Sequence, residues 1–319
     1  MPARTLAPGS CNRRRFLAAA AGVVGGCLVG RQATRPGRTY AFFESTSLSP
    51  GAPAAFLSTD TVPQGSAFSL RVQTFFADSA AATFNGLRYP LFGDGEYLVA
   101  VLGAGQPVDA EVEIEPGDYQ VLVDAAGSNG SALTFTLPIA VATTPFPVDA
   151  IELPPSTAAL LSPATVANEL VQLRSVYTPA IDAPLWRGLF RWPVVGPITT
   201  DFGQARSYNG GPVSGHHSGV DIGVDLGTPV GAAAPGRIVF AGALAERGNM
   251  VAIEHGMGVF TGYAHLSRID AVVGAGVAAG EIIGLAGSTG LSTGPHVHWE
   301  CAVNGVHVDA SRWTRVLLP

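Results

Sequence analysis

His296-Val297-His298-Trp299-Glu300, preceded by Gly294-Pro295, decides how the last third of this chain folds. Residues two apart on a strand point to the same face. An extended segment therefore stands His296 beside His298 and turns Val297 and Trp299 to the opposite side. Upstream, His217-Ser218-Gly219-Val220-Asp221 repeats the pattern. If Ser218 to Val224 is extended, His217 and Asp221 share a face and Gly219 clears the space between them. Val220, Ile222 and Val224 then form the apolar stripe of a half-buried strand. A helix would also bring residues four apart together, but Gly219, Gly223 and the β-branched residues argue against one.

All seven His, at 216, 217, 255, 265, 296, 298 and 307, fall after residue 215. Imidazole is the commonest metal ligand and the commonest general base near neutral pH, so this clustering predicts a metal or catalytic site. His217, Asp221 and His298 offer two nitrogens and one carboxylate oxygen. Three such donors with an open fourth position suit a catalytic zinc site. His265 and His296 are then left beside the metal. One can take a proton from water and the other can donate to the oxyanion formed when that water attacks a carbonyl. Proximity to His298 favours His296 for the water, but the sequence does not fix the two roles. His-Glu-x-x-His is absent, so Glu is not the expected base. His216 rivals His217 as a ligand, and the spacing to Gly219 and Asp221 favours His217. His255 is expected to end a strand behind the site, and His307 to lie on the surface. Glu300 either orients a ligand imidazole or is solvated. Cys301 has no Cys-x-x-Cys partner and is expected to be a buried small residue.

The segment resembles the LytM or lysostaphin-type zinc endopeptidases, peptidase family M23. The resemblance rests on His217-x-x-x-Asp221, Gly227-Thr228-Pro229-Val230, Gly236-x-Ile238-Val239, Tyr263-Ala264-His265-Leu266 and Ser288-Thr289-Gly290-x-Ser292-Thr293-Gly294-Pro295-His296-Val297-His298-Trp299-Glu300, in family order. It implies a duplicated-hybrid-motif-like, mostly antiparallel β domain. It implies Zn2+ held by His217, Asp221 and His298, with His265 and His296 as the catalytic pair. The implied substrate is a peptide bond of bacterial peptidoglycan. Arg206, Tyr208 and Asn209-Gly210 are expected in a polar loop forming one groove wall. Tyr263, two before His265, is expected on the same strand face.

The amino terminus has its own signature. Arg13-Arg14-Arg15-Phe16-Leu17 precedes an apolar run from Ala18 to Gly30. A basic stretch before a short apolar run is an export signal rather than a membrane span. Its paired Arg resembles a twin-arginine signal. Val24-Gly25-Gly26-Cys27 also resembles a lipobox, which would place a lipid anchor on Cys27. The expected location is the periplasm or cell envelope. The formal charge of −6 and the absence of a basic field argue against nucleic acid as partner.

With 40 Gly and 24 Pro among short apolar runs, the whole chain reads as all-β. The expected order is an export signal over 1–30, a linker over 31–40 and an immunoglobulin-like β-sandwich over 41–150. A linker with a helix follows over 151–191, and the metallopeptidase domain over 192–319. Strands are expected at Phe68–Val72, Ala82–Phe84, Glu96–Leu102, Glu111–Ile114, Asp118–Val123 and Ala132–Leu137, separated by Asn85-Gly86, Asp94-Gly95 and Pro116-Gly117 turns. Pro63-Gln64-Gly65, Phe84-Asn85-Gly86 and Pro116-Gly117-Asp118-Tyr119 resemble the sandwich found before some M23 domains. Ser162-Pro163 caps a helix whose Val166, Leu170, Leu173 and Tyr177 share a face. Two alternatives to a wall endopeptidase stand: a non-catalytic module that regulates a cell-wall hydrolase as protein partner, or an envelope protease acting on proteins.

Overall fold

The computed structural model describes residues 55–73, 77–107, 114–127, 130 and 132–318. The export signal, Cys27 and the 31–40 linker lie outside the described residues, as does most of the expected Glu111–Ile114 strand. The described chain is predominantly β, with one helix longer than five residues. No helix among the described residues is long and apolar enough to cross a membrane.

The amino-terminal half holds two sheets. One has four strands, in which Ser66–Gln73 pairs antiparallel with Tyr97–Ala104. The other has five, with Gly117–Ala126 between Ala132–Ala142 and Ser79–Phe84. Alternate residues of both sheets supply a shared core. Phe68, Leu70 and Leu102 come from the first sheet, and Phe84, Val121 and Val123 from the second. The Asn85-Gly86 turn has positive φ at both residues, 46° and 75°, which suits the twist of a tight hairpin.

The carboxyl-terminal half is organised by a nine-stranded sheet. Its central members are Gly219–Gly223, His296–Val303, Val259–Leu266, Gly248–Gly256 and Gly236–Leu244, each antiparallel to the next. One face is apolar: Val220, Ile222, Val251, Tyr263, Val297 and Trp299 pack beneath it. Ala205–Tyr208 departs from expectation. It is a strand, antiparallel to Val213–His216 and parallel to Val148–Ile151, so Arg206 and Tyr208 stand on a sheet and not in a loop. The polar Asn209-Gly210, at φ 51° and 70°, is the hairpin turn that follows it.

The helix Pro163–Val176 starts where the sequence indicates. Ser162 Oγ accepts from the Thr165 N–H and Pro163 opens the first turn. Leu173 and Tyr177 are buried against Met250 and Phe260, while Val166 and Leu170 are only half covered. Glu169 is also buried on this face, at 2% exposure. The stretch after it donates Trp186 and Phe190 to the core under the large sheet.

The two halves are joined by backbone. Gln106–Pro107 pairs with Val306–Val308, which itself pairs with the His296 strand. Val99 and Val101 of the first half belong to the core of the second. Pro63-Gln64-Gly65 also lies at this joint. The Gly65 carbonyl accepts from Asp309 N–H at 2.7 Å, and a Cβ on Gly65 would come 2.6 Å from the Phe202 ring. A Cβ on Gly105 would overlap the His307 carbonyl oxygen. Overpacking of this kind typically costs about 1–3 kcal/mol. Gly105→Ala should lower the stability of the full chain by that amount in chemical denaturation. A wild-type midpoint would mean that the joint is loose.

Candidate metal centre and groove

Five of the predicted side chains meet at one end of the large sheet. The pairing of Gly219–Gly223 with His296–Val303 sets Asp221 opposite His298. His217, just before the first of these strands, closes the group. His217 Nε2, Asp221 Oδ1 and His298 Nδ1 lie 2.9 Å from one another, and all three residues are buried. This is a cluster with the reach to hold one metal ion among the described residues.

The other nitrogen of each imidazole decides whether the set fits a cation. His217 Nδ1 lies 2.9 Å from the Asp201 carbonyl, which requires Nδ1–H and leaves a lone pair on Nε2. His298 Nε2 lies 3.2 Å from Glu300 Oε2. A proton there leaves Nδ1 free to bind. Metal-binding His are commonly held in this way by a carbonyl or carboxylate. Two imidazole nitrogens and one carboxylate oxygen match the donor chemistry of zinc. Charge points the same way. Burial pushes the His217 imidazole down to about 4, against the pull of Asp221. Burial would raise the Asp221 carboxyl, but His217 and His298 hold it well below the usual range. Asp221 is therefore the anionic donor where a cation would sit, while His298, despite its burial, is raised by its bonds to Asp221 and Glu300. Gly219 is needed beside it, because a Cβ would come 2.9 Å from the His298 ring. Its clearance serves His298 rather than the gap between His217 and Asp221.

His265 and His296 stand beside this group, their ring centroids 4.6 Å apart. His265 reaches it by breaking strand alternation. Asn249 pairs with Leu266 and Val251 with Tyr263, so Ala264 and His265 together face Met250. This is a bulge, and His265 takes a left-handed φ of 59° within it. The bulge separates His265 from Tyr263, whose ring is buried in the core and whose hydroxyl accepts from Ala233 N–H. The shared face expected for these two residues is thus lost. His265 Nδ1 is 2.7 Å from the Thr289 carbonyl, and His296 Nδ1 is 2.8 Å from the Gly294 carbonyl. Each therefore donates from Nδ1 and presents Nε2 as an acceptor. Burial, then the neighbouring His296 and His298, push the His265 imidazole down to about 3.

The centre opens into a groove of roughly 520 Å³. Arg206 and Tyr208 form part of one wall, together with Asp149–Leu153 from the end of the amino-terminal half. Leu291, Ser292 and Thr293 also line it. Arg206 Nη2 approaches Asp221 Oδ2 at 3.5 Å. His216 lines the groove but is not in the metal cluster.

The other expectations divide. Cys301 is buried, and Glu300 is fully buried rather than solvated. His255 is structural: its Nδ1 faces the Pro235 carbonyl and its Nε2 the Thr261 hydroxyl, both at 2.8 Å. His307 is not a surface residue. It is 4% exposed, because its strand lies between the His296 strand and Gln106–Pro107. Sequence spacing offers no pairing for Tyr177 and Arg247, which hydrogen-bond Glu300, or for Glu169, which holds Arg247. The available signal was a carboxylate, Glu169, amid the apolar stripe of its helix.

Residues 215–310 match the family described as Peptidase family M23, and the chain carries a domain of that family. Among curated proteins, DD-carboxypeptidase/endopeptidase Mpg of Neisseria meningitidis is 50% identical over 93 residues, 29% of this chain and 21% of that one. Peptidoglycan DD-endopeptidase ShyA of Vibrio cholerae is 37% identical over 130 residues, 40% of this chain and 30% of that one. The chain thus spans a third or less of the length of these relatives. A crystal structure of a putative peptidase M23 from Pseudomonas aeruginosa is 25% identical with a TM-score of 0.56, covering 81% of this chain and 96% of that one. That coverage reaches well beyond residues 215–310, so the likeness includes part of the amino-terminal half.

His255 lies apart from the metal cluster and gives a test of the buried core. Burial lowers its imidazole to about 4, from an unfolded value near 6.5. Between those pH values the unfolded chain binds a proton that the folded chain refuses. The stabilisation is complete above about pH 6.5 and is lost as pH falls toward 4, by roughly 3 kcal/mol in all. Imidazole NMR of the metal-free chain should show His255 neutral at pH 5, while denaturation midpoints fall from pH 7 to pH 5. Titration of His255 near 6.5 would contradict its buried hydrogen bonding.

Proposed function

We propose that this chain is a zinc-dependent endopeptidase that hydrolyses peptide bonds of peptidoglycan. The observation that carries this is the meeting of His217 Nε2, Asp221 Oδ1 and His298 Nδ1 at the floor of an open groove, with His265 and His296 beside them. The M23 match and the peptidoglycan endopeptidase ShyA, as a partial relative, support the substrate class. A non-catalytic regulatory module has no use for five converging groups, three of them fit to bind metal.

His217, Asp221 and His298 would hold the zinc. When bound, zinc lowers the pKa of water and polarises the scissile carbonyl. The Thr289 carbonyl engages the Nδ1–H of His265, which leaves its Nε2 lone pair to take the proton of the attacking water. The imidazolium formed then returns that proton to the departing amine. His296, 4.6 Å away between ring centroids, would be the second imidazole of the pair, beside the developing oxyanion. Arg206 and Tyr208 line the groove where an extended peptide would lie.

The finer architecture belongs to the same proposal. The two sheets of the amino-terminal half, antiparallel but for the parallel pairing of Thr61–Pro63 with the Ala132–Ala142 strand, support an immunoglobulin-like sandwich over 41–150, ahead of the linker and helix at 151–191 and the catalytic domain at 192–319. Residues 1–30 would export the chain to the periplasm or envelope, through a twin-arginine-like signal or with a lipid on Cys27.

The test pairs metal content with fragment release from purified sacculi, and with casein as a competing protein substrate. Wild type should bind one zinc and release peptides from sacculi alone. His217→Ala, Asp221→Ala and His298→Ala should lose both zinc and release. His265→Ala should keep zinc and lose roughly 10²–10⁴ in kcat, the usual range for a general base. Unchanged release by His265→Ala would sink its catalytic role, and a folded wild-type chain without zinc would sink the whole assignment.

A further inference from the structure

Glu300 meets an unusual number of groups for a fully buried carboxylate. His298 Nε2 is 3.2 Å from its Oε2, and His307 Nε2 is 3.7 Å from the same oxygen. The Tyr177 hydroxyl donates to Oε1, and Ser218 Oγ donates to Oε2. Arg247 supplies the rest. Its Nε donates to both Glu300 oxygens, at 3.1 and 3.0 Å, and its Nη2 donates to Oε2 at 2.8 Å. A planar guanidinium engaging a carboxylate through two donors of one edge fixes orientation as well as charge.

Arg247 is itself anchored from outside the M23-matched segment. Its Nη1 donates to Glu169 Oε1 at 3.1 Å, and Glu169 lies on the helix Pro163–Val176. Glu169 also accepts from the backbone N–H of Glu246 and Arg247, at 2.6 and 3.2 Å. One carboxylate thus holds both the turn and the side chain of Arg247. The same turn reaches the second pair of imidazoles. The Arg247 carbonyl accepts from His265 N–H at 2.8 Å, within the bulge that delivers His265.

We propose that Arg247, anchored by Glu169, is a positioning residue for the metal centre: it clamps Glu300, which holds His298 Nε2–H and aims Nδ1 at the metal. The inference rests on the zinc-site assignment above and extends it to two residues that are not among the metal donors. Loss of Arg247 leaves Glu300 held mainly by Tyr177 and Ser218, neither of which fixes its plane. His298 then loses a rigid partner for its second nitrogen. Changes to groups that hold a metal ligand in this way typically cost 10–100-fold in metal affinity.

The experiment measures zinc affinity of the full chain by competition with a chromophoric chelator. It also records the visible spectrum with cobalt(II) as probe and thermal unfolding of the metal-free chain. Arg247→Met should weaken zinc binding by about 10–100-fold and alter the cobalt spectrum. Arg247→Lys, which keeps the charge but not the fork, should fall between it and wild type. Arg268→Met, which removes an exposed pair with Asp270, should leave both readouts unchanged. Wild-type affinity and spectrum in Arg247→Met would overturn the proposal, even with a lower unfolding temperature, since that pattern marks a purely structural role. If Arg247→Met does not fold, Glu169→Gln decides. A several-fold loss of zinc affinity supports the anchor, and wild-type affinity overturns it. Wild-type chain that binds no zinc would instead defeat the site assignment itself, so the two failures are distinguishable.

Discussion

The antiparallel register between Gly219–Gly223 and His296–Val303 is the constraint on which the site depends. It sets Asp221 against His298 and Val220 against Trp299. Side chains alternate faces with a period of two, so a slip of one residue would exchange the two sets. Trp299 would enter the groove and His298 would be buried in the apolar core. The core enforces the correct choice. Val297, Trp299, Val220 and Ile222 are all essentially inaccessible, and burying each large apolar side chain is worth about 1.5–3 kcal/mol. The proposed metal donors are thus placed by the hydrophobic packing of their neighbours on the reverse face. This explains how three groups that repel or compete in the absence of a cation can be held 2.9 Å apart.

What the sequence made legible follows from this. The meeting of Asp221 with His298 was readable because spacing on strands determines their facing, and His217 joins them from the extended stretch just before Gly219. The same holds for His296 and for the Ser162 cap. His265 was readable as a site residue but not by the right geometry. Strand alternation puts it with Tyr263, whereas the bulge separates them. Nothing in Tyr263-Ala264-His265-Leu266 announces a left-handed His. The conformation is maintained by longer-range hydrogen bonds, from His265 N–H to the Arg247 carbonyl and between its ring and the Thr289 carbonyl. His307 was misplaced for a similar reason. Its burial comes from a strand pair contributed by residues 106–107, two hundred positions away. Arg206 and Tyr208 were taken for loop because their polar side chains conceal a strand whose partner, Val148–Ile151, is also remote.

The charged network behind His298 raises an energetic question. Glu169, Arg247 and Glu300 are nearly excluded from water. Desolvating such ions costs several kcal/mol each, and replacing them with apolar residues is often neutral or favourable for stability alone. Stability is thus a weak reason for their presence. An apolar replacement would fill the space but could not accept the second proton of His298 or fix its ring. Two carboxylates facing one guanidinium also leave Glu300 with charge to share with His298. The arrangement makes physical sense as support for a cation site, with its cost met by the two cores on either side.

That support is spread over distant parts of the chain. Glu169 and Tyr177 come from the helix before the large sheet, and His307 from the strand that joins the two halves. The M23-matched residues 215–310 contain Arg247 and Glu300 but not the groups that complete their shell on the helix side. Two of the five clustered groups, His265 and His298, are therefore oriented by contacts that converge on one turn, Glu246 to Gly248. This turn also accepts Leu291 N–H through the Glu246 carbonyl, tying in the loop that leads to His296. A displacement of the helix would move that turn, and with it the partners of His265, His298 and the Ser288–Gly294 loop together. The sequence outside the family segment is thus part of the centre's geometry, through packing and hydrogen bonding rather than through any ligand of its own.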